Sequence, residues 1–121
     1  MSVFSEISRE EYVLETQYFF IIKDRFPVSL GHMLIISKNE KSDFFELDEQ
    51  ERNELLGLIC QVKEIIKVSF NPDGYNIGMN CGETAGQTVM HFHCHVIPRY
   101  KGDMDNPRGG IRHCVHGKGY Y

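Results

Sequence analysis

A single long apolar stripe in the middle of the chain restricts the folds that are open to it. Apolar side chains recur there at spacings of three and four residues, at Leu55, Leu58, Ile59, Val62, Ile65, Ile66 and Phe70. This period predicts one helix of about twenty residues with one apolar face. Asp48 stands three residues before Glu51 and predicts a capping box at the start of the helix. We expect the stripe to pack against a sheet.

Runs of β-branched and aromatic residues on both sides of this helix predict strands. Residues 10–23 predict two short strands with a polar joint near Glu15–Gln17, and a further strand is predicted over His32–Ser37. The loop of about eight residues before that strand favours an antiparallel pair. After the helix, strands are predicted over Tyr75–Asn80 and from about Val89 to Pro98.

The connections between these elements have turn and cap chemistry. Ser42 predicts the cap of a short helical turn over Asp43–Leu47. In Asn71–Gly74, proline presets one dihedral angle and glycine accepts a positive φ. The tail from about Lys101 is rich in glycine and is expected to be largely irregular. The sequence therefore predicts an α+β fold, with an antiparallel sheet of about five strands, one long helix and a short helix, in a single domain over residues 1–121.

Composition limits the partners and the compartment. The formal charge of −4 supplies no basic field that would recruit nucleic acid or an anionic membrane, and apolar runs such as Tyr18–Ile22 are too short to cross a bilayer. The N-terminus has no secretory pattern, so we expect a cytoplasmic protein with reduced thiols. The cysteines are widely spaced, so we expect buried small side chains and not a disulfide framework or a zinc site; they are Cys60, Cys81, Cys94 and Cys114.

Three histidines alternate with apolar residues in the last predicted strand. Because side chains alternate across a strand, His91, His93 and His95 are expected to share one face. The other face is expected to join the core and consists of Met90, Phe92, Cys94 and Val96. Three imidazoles on one face of one strand have no packing purpose, so they indicate chemistry.

Metal binding and nucleophilic catalysis are the two chemical interpretations of these histidines. His91 and His95 lie about 13 Å apart along a strand, too far for one zinc ion that needs its nitrogens at roughly 2.1 Å. A pair such as His91 and His93 with a third ligand from elsewhere stays open. In the other interpretation, a neutral imidazole attacks phosphorus while its neighbours orient it, donate protons and neutralise charge. The second interpretation uses all three histidines, and we favour it.

The loop Glu83–Thr88, just before the histidines, suits phosphate chemistry. Gly86 lets backbone amides approach a phosphate closely, and Gln87 and Thr88 add side-chain donors. The loop lacks the GK[ST] of a P-loop, so no Walker-type nucleotide site is implied. Taken alone, such a loop is more often an ordinary hairpin connection. Beside three histidines it favours a phosphate site.

These segments resemble the histidine triad family, whose motif is His-x-His-x-His followed by two apolar residues. The resemblance covers about residues 10–112, and its segments are Asp24, Pro27, Gly31-His32, Ala85–Val89, the three histidines, Val96-Ile97 and Pro98-Arg99. The segments next to the histidines resemble the fragile-histidine-triad branch in particular. Some members of the family hold zinc with N-terminal cysteines, whereas this chain has no cysteine before Cys60.

The resemblance implies a role for each matching residue. His93 would be the nucleophile on the α-phosphate, His95 would hydrogen-bond the phosphate and help the leaving group depart, and His91 would support the array. His32 would approach the array from a neighbouring strand. Asp24 would bind ribose hydroxyls, with a turn-forming aspartate as the alternative. Three further residues match positions that contact phosphate oxygens or the leaving group: Asn80, Gln87 and Thr88.

The resemblance further implies a hydrolase that cleaves a phosphoanhydride at the α-phosphate of dinucleoside polyphosphates, with an adenine nucleotide as the expected ligand. His95 stands where the family's transferases have glutamine, which favours water as the final acceptor. Nucleoside phosphoramidates and acyl-adenylates are alternative substrates, and a nucleotide sensor or adaptor with slow hydrolysis is the alternative from another class. A homodimer is implied. No cofactor is expected to be required, with Mg²⁺ entering only as a complex with the substrate.

Overall fold

The computed structural model describes residues 2–121, and its long helix, α1, spans Glu49–Phe70. Asp48 caps the helix: its side chain accepts a hydrogen bond from the backbone N–H of Glu51, and the Glu51 side chain accepts one from the backbone N–H of Asp48. The predicted capping box is therefore confirmed. The predicted stripe is confirmed as well, since its central members are fully buried: Leu55, Leu58, Val62 and Ile66.

Five strands form one antiparallel sheet. They are β1 (Tyr12–Glu15), β2 (Phe19–Lys23), β3 (Met33–Ser37), β4 (Gly74–Gly78) and β5 (His93–Arg99). Their spatial order is β1-β2-β3-β5-β4, so β5 lies between β3 and β4. The antiparallel pair predicted for β2 and β3 is confirmed. The α+β fold with one long helix is confirmed too, and the short helix is a single 3₁₀ turn over Phe44–Glu46.

The two faces of the sheet are covered differently. One face packs against α1 in a large apolar cluster, to which β5 contributes Cys94 and Val96. The opposite face carries a smaller cluster from β2 and β3, consisting of Phe20, Ile22, Leu34 and Ile36, with the N-terminal Ile7 against it. The N-terminal segment thus covers the β2 and β3 part of this second face, while Ile111 of the tail approaches Gly78 of β4.

The last strand is shorter than predicted. β5 begins at His93, so the predicted start at about Val89 is wrong, and residues 89–92 form a bend before the strand. Phe92 is buried as predicted, but Met90 is 47% exposed and does not join the core face. The alternation rule applies only where the chain is extended, and the chain is not regular before His93. β3 starts one residue later than predicted, and β4 starts one residue earlier and ends two residues earlier than predicted.

Two turns use residues other than those predicted. The short helical turn is capped by Asp43, whose carboxylate accepts a hydrogen bond from the N–H of Phe45, and not by Ser42. After α1, the left-handed conformation belongs to Asn71, with φ of 52°, and not to Gly74. Asparagine tolerates this region better than most residues with a side chain, so it ends the helix before proline follows.

The cysteines are free, but only Cys94 of the four is buried. The expectation that all of them are buried is therefore wrong for Cys60 and Cys114, which are exposed, and for Cys81, which is half-buried. Burial raises the pKa of the Cys94 thiol to about 12. Cys94 therefore stays a neutral, apolar member of the core beneath β5.

Outside these strands and α1, the chain consists of turns and short 3₁₀ helices. In the tail, one such helix spans Gly110–Cys114 and the remaining residues are irregular, as predicted. Among residues 2–121, no helix is both long enough and apolar enough to span a membrane.

The capping box provides a direct test of how α1 is held. Replacing Asp48 with Ala removes the acceptor for the N–H of Glu51 and should lower the free energy of unfolding by about 1 kcal/mol. Replacing Gln61, an exposed residue in the middle of the same helix, with Ala should change it by less than about 0.5 kcal/mol. Urea unfolding followed by circular dichroism measures both. Equal effects of the two changes would contradict the capping role.

Candidate active site

The candidate site lies on the face of the sheet opposite α1. Since Cys94 and Val96 of β5 enter the core, the alternate residues His93 and His95 project from the other face and are half-buried there. His93 is aligned with Ile36 of β3, and His95 lies between Leu34 of β3 and Gly78 of β4. Gly78 has no side chain, so it leaves room beside the His95 ring.

His91 lies outside β5 but remains part of the array. Its ring is fully buried, and its Nε2 is 2.6 Å from the carbonyl oxygen of Ser37. A carbonyl oxygen can only accept a hydrogen bond, so Nε2 carries the proton. The Nδ1 of the neutral ring is then an acceptor, and the hydroxyl of Ser2 lies 2.5 Å from it. Both nitrogens of His91 are thus used in hydrogen bonds.

His93 is oriented by the main chain of His91. Its Nδ1 lies 2.8 Å from the carbonyl oxygen of His91, so Nδ1 is the protonated nitrogen. In the neutral ring, Nε2 then has a free lone pair. The ring of Phe4 stands edge-on to the His93 ring, with 4.9 Å between their centroids. His93 therefore presents an unprotonated nitrogen whose direction is fixed.

His32 and His95 are hydrogen-bonded to each other, and both carry their proton on Nε2, whereas His93 carries it on Nδ1. The backbone N–H of Val28 donates to Nδ1 of His32 at 3.1 Å, so in the neutral ring the proton lies on Nε2. That Nε2 is 2.9 Å from Nδ1 of His95 and 3.3 Å from Oδ2 of Asp24. Nδ1 of His95 is then an acceptor, and Nε2 of His95 carries a proton. The rings of His93 and His95 lie 5.4 Å apart, centroid to centroid.

Burial keeps these two histidines neutral. Desolvation lowers the pKa of His95 to about 4, with repulsion from His93 and His32 acting in the same direction and Asp24 opposing it. Desolvation also lowers the pKa of His32, and the nearby carboxylate of Asp24 acts in the opposite direction. At neutral pH both rings are uncharged, so they act as hydrogen-bond donors and acceptors and not as cations.

Asp24, His32 and His95 also form a candidate metal site, because one ligand atom from each lies within 4.8 Å of the others. The hydrogen bond from Val28 disfavours that use. A metal on Nε2 of His32 would need that nitrogen free of its proton, while the N–H of Val28 occupies Nδ1. The pair of His91 and His93 is also unsuited, because both nitrogens of His91 are engaged. The geometry favours a hydrogen-bonded chain over a metal centre.

Asp24 has the turn contact that was its alternative role. Its Oδ1 accepts a hydrogen bond from the N–H of Phe26 at 2.8 Å, which shapes the loop between β2 and β3. Its other oxygen faces the rings of His32 and His95, at 3.3 and 3.9 Å. One carboxylate therefore joins the loop to the histidines.

The loop before the histidines is built around Gln87. This side chain is only 3% exposed; its oxygen accepts from the N–H of Gly82, and its amide donates to the carbonyls of Ser42 and Val89. All its hydrogen bonds thus hold the loop together, and the structure does not present it as a free phosphate donor. The N–H of Gly86 is likewise bonded, to the carbonyl of Glu83. Of the other predicted phosphate contacts, Asn80 and Thr88 are exposed.

Sequence reasoning missed the groups that set the protonated nitrogens. These are the carbonyl of Ser37, the N–H of Val28 and the hydroxyl of Ser2, in addition to the carbonyl of His91. Three of them belong to the backbone, which every residue has, so no residue pattern could have identified them. Ser2 had one local signal, since serine before a short helical turn is a common cap, and it does accept a hydrogen bond from the N–H of Phe4.

Comparison with known proteins shows the family to which the chain belongs. The HIT domain family model matches residues 6–102. The chain is similar to the crystal structure of a HIT family protein from Bacillus anthracis, with a TM-score of 0.73 and 39% identity, covering 77% of this chain and 66% of that one. The chain belongs to the HIT domain family, as its resemblance to the histidine triad family predicted.

Three relatives show the range within the family. An uncharacterized HIT-like protein of Mycoplasma genitalium is 37% identical over 87 residues, which cover 72% of this chain and 62% of that protein. A bis(5'-adenosyl)-triphosphatase of Dictyostelium discoideum is 32% identical over 100 residues, 83% of this chain and 67% of its own length. An AP-4-A phosphorylase of Mycobacterium tuberculosis is 30% identical over 103 residues, 83% of this chain and 53% of its own length. The chain thus spans less than two thirds of the Mycoplasma and Mycobacterium proteins.

The low pKa of His95 predicts how stability depends on pH. In the unfolded chain this histidine binds a proton with a pKa of about 6.5, and in the folded chain with a pKa of about 4. Between these values the unfolded state holds more protons, so the free energy of unfolding should fall as the pH is lowered. His95→Gln removes this contribution. From pH 7 to pH 4, the free energy of unfolding of wild type should fall by on the order of 2 kcal/mol more than that of the variant in urea unfolding.

A difference that stays constant over this pH range would contradict the neutral, desolvated state of His95. Comparing the two proteins at each pH cancels the titration of the carboxylates that they share.

Proposed function

We propose that this chain is a nucleotide hydrolase that cleaves the phosphoanhydride at the α-phosphate of dinucleoside polyphosphates, through a nucleotidyl intermediate on His93. The observation that carries the proposal is the opposite protonation of two neighbouring rings. His93 presents a bare Nε2, and His95 presents an Nε2–H. A lone pair next to an N–H donor suits attack on a phosphorus atom whose oxygens gain charge. The named activities of the Dictyostelium and Mycobacterium relatives support this substrate class.

In the first step, the Nε2 lone pair of His93 forms a bond to the α-phosphorus while the bond from phosphorus to the bridging oxygen breaks. The electrons of that bond leave with the departing nucleotide as a phosphate anion. The imidazole becomes cationic, and its Nδ1–H bond to the His91 carbonyl becomes charge-assisted and stronger. The Nε2–H of His95 donates to a phosphate oxygen, while its Nδ1 is held by His32.

In the second step, water attacks the same phosphorus, and the bond to Nε2 of His93 breaks. The electrons return to Nε2 as a lone pair, and the proton lost by water passes to the products or the solvent. The imidazole ends in its starting tautomer, because the carbonyl of His91 keeps the proton on Nδ1 throughout. The site is then ready for another cycle.

The neutral state of His95 favours anhydrides over phosphoramidates. A phosphate group departs as a stable anion and needs only a hydrogen-bond donor, whereas an amine needs a full proton to depart. His95, with a pKa of about 4, holds no extra proton at neutral pH in the free protein. Dinucleoside polyphosphates therefore suit the site better than nucleoside phosphoramidates.

Asp24 would contribute to nucleotide binding through the same proposal. Its Oδ2 faces the histidine pair and keeps lone pairs that can accept hydrogen bonds from ribose hydroxyls, so the turn contact and ribose binding are compatible.

We also propose a homodimer, since β4 lies at an edge of the sheet with Ile77 exposed on it. Unpaired backbone groups at such an edge can pair with a second copy.

Replacing His93 tests the mechanism. In His93→Ala the covalent route is lost, so turnover of diadenosine triphosphate should fall by far more than the 10²–10⁴-fold typical of losing an acid or base. His116→Ala, which removes an exposed tail histidine, is the matched control and should keep full turnover. Mass spectrometry of rapidly quenched wild type should find a nucleotidyl group on the peptide containing His93, and His93→Gly should bind substrate without forming this adduct.

A His93→Ala protein with near-normal turnover would overturn the mechanism.

A panel at equal concentration tests the substrate class: diadenosine tri- and tetraphosphate, adenosine phosphoramidate and an aminoacyl-adenylate analogue. Added inorganic phosphate and oxygen-18 water show whether phosphate or water takes the nucleotidyl group. Tight nucleotide binding with almost no product from any compound would support a sensor instead.

Chelation tests whether a metal takes part. The protein should keep its activity on an uncharged or phosphoramidate substrate after treatment with a chelator, because the proposed steps use only imidazoles. Polyphosphate substrates are expected to prefer magnesium, because the ion offsets charge on the phosphate chain. Stoichiometric zinc in the purified protein, with activity lost on its removal, would show that this expectation is wrong.

A further inference from the structure

We infer that Glu40 is a positioning residue for the histidine array, which it orients by holding the N-terminal turn against His91. Glu40 lies just after β3 and is exposed, and it makes no direct contact with the histidines. The inference rests on the proposed function for its kinetic test, but it also has a test that needs no turnover.

Glu40 binds the N-terminal turn at two points. Its Oε1 accepts hydrogen bonds from the backbone N–H of Ser2 and from the hydroxyl of Ser5, each at 2.5 Å. These residues flank and form the 3₁₀ helix over Val3–Glu6. The same two bonds lower the pKa of Glu40, so the carboxylate is ionised at neutral pH and both bonds are charge-assisted.

Ser2 carries this attachment to His91. Its oxygen accepts a hydrogen bond from the N–H of Phe4 at 3.1 Å, which leaves its own proton to donate to Nδ1 of His91 at 2.5 Å. The other nitrogen of the same ring donates to the carbonyl of Ser37. The buried ring is thus held from both sides, and one side depends on the N-terminal turn.

The position of His91 matters because its carbonyl orients the nucleophile. Nδ1 of His93 donates to that carbonyl at 2.8 Å, so a rotation of the main chain at His91 would redirect the lone pair of His93. The turn also places Phe4 against both rings, with centroids 5.6 Å from His91 and 4.9 Å from His93. Releasing the turn would therefore loosen a hydrogen bond and an apolar wall at the same time.

The effect on orientation is separable from an effect on stability. Hydrogen bonds and ion pairs at exposed positions contribute little to folding, and Glu40 is exposed. The chain offers a matched control in Glu46, an exposed carboxylate whose Oε1 accepts a bond of 2.6 Å from the N–H of Ser42. That contact has the same chemistry but involves no histidine.

The experiment compares Glu40→Ala with Glu46→Ala in the full chain. Glu40→Ala should lower kcat on diadenosine triphosphate by about 10- to 100-fold, the size expected for a misplaced reacting group, with little change in KM or in the urea midpoint. Glu46→Ala should leave kcat unchanged. Glu40→Gln keeps an acceptor oxygen and should restore most of the kcat.

A second measurement follows the imidazole nitrogens of His91 by ¹⁵N NMR without substrate. Wild type should show a protonated Nε2 and a hydrogen-bonded, unprotonated Nδ1. In Glu40→Ala the Nδ1 resonance should move toward that of an imidazole nitrogen without a hydrogen bond, while the Ser37 carbonyl keeps the proton on Nε2. Ser2→Ala, which removes only the hydroxyl that reaches His91, should reproduce this shift of the Nδ1 resonance and serves if Glu40→Ala folds poorly.

Unchanged His91 nitrogens in Glu40→Ala, or in Ser2→Ala where Glu40→Ala does not fold, would overturn the inference, as would equal kinetic losses in Glu40→Ala and Glu46→Ala. If wild type turned over none of the nucleotides, the proposed function would fail, while the NMR comparison would still decide whether Glu40 positions His91.

Discussion

The antiparallel pairing of β3 with β5 is the interaction on which the histidine array depends. It aligns Ile36 with His93 and Leu34 with His95. It also continues to the residue before β5, where the N–H of Ser37 donates to the carbonyl of Phe92. This pairing brings the carbonyl of Ser37 to the ring of His91. The carbonyl of His91 lies just before the strand, where it is available to the His93 ring. A residue inside a helix could not offer this, because its carbonyl is already bonded four residues on.

Main-chain groups give the site a fixed pattern of protonated and bare nitrogens. Carbonyls fix the protons of His91 and His93, and the N–H of Val28 fixes that of His32. Since the pKa values of His32 and His95 are lowered by burial, these two rings contribute dipoles and not cations to the site. Oriented dipoles in a partly dry site need little rearrangement as charge moves. A site that uses dipoles is consistent with a chain whose net charge is −4 and which therefore has no excess of cations.

The sequence predicted the main elements because each has a periodic pattern or a cap with a physical cause. The stripe of α1, the Asp48 capping box and the two faces of residues 92–96 all follow from such local rules. His91 was placed in the strand because alternation says nothing about where a strand begins. Gln87 was expected to contact phosphate, and its actual partners are the Gly82 N–H and two carbonyls, one from Ser42, which is distant in the sequence. Hydrogen bonds between distant segments leave no local signature.

Cys94 lies between His93 and His95 in the sequence but is buried on the other face of β5, so its thiol reports on the strand that carries both histidines. Its side chain lies in the core under β5, and its pKa of about 12 leaves almost no thiolate to react at neutral pH. Alkylating reagents should therefore modify the exposed Cys60 and Cys114 at once and Cys94 only when β5 detaches. The labelling rate at Cys94 would then measure how often β5 transiently detaches in the folded molecule, a property that neither turnover nor urea unfolding records.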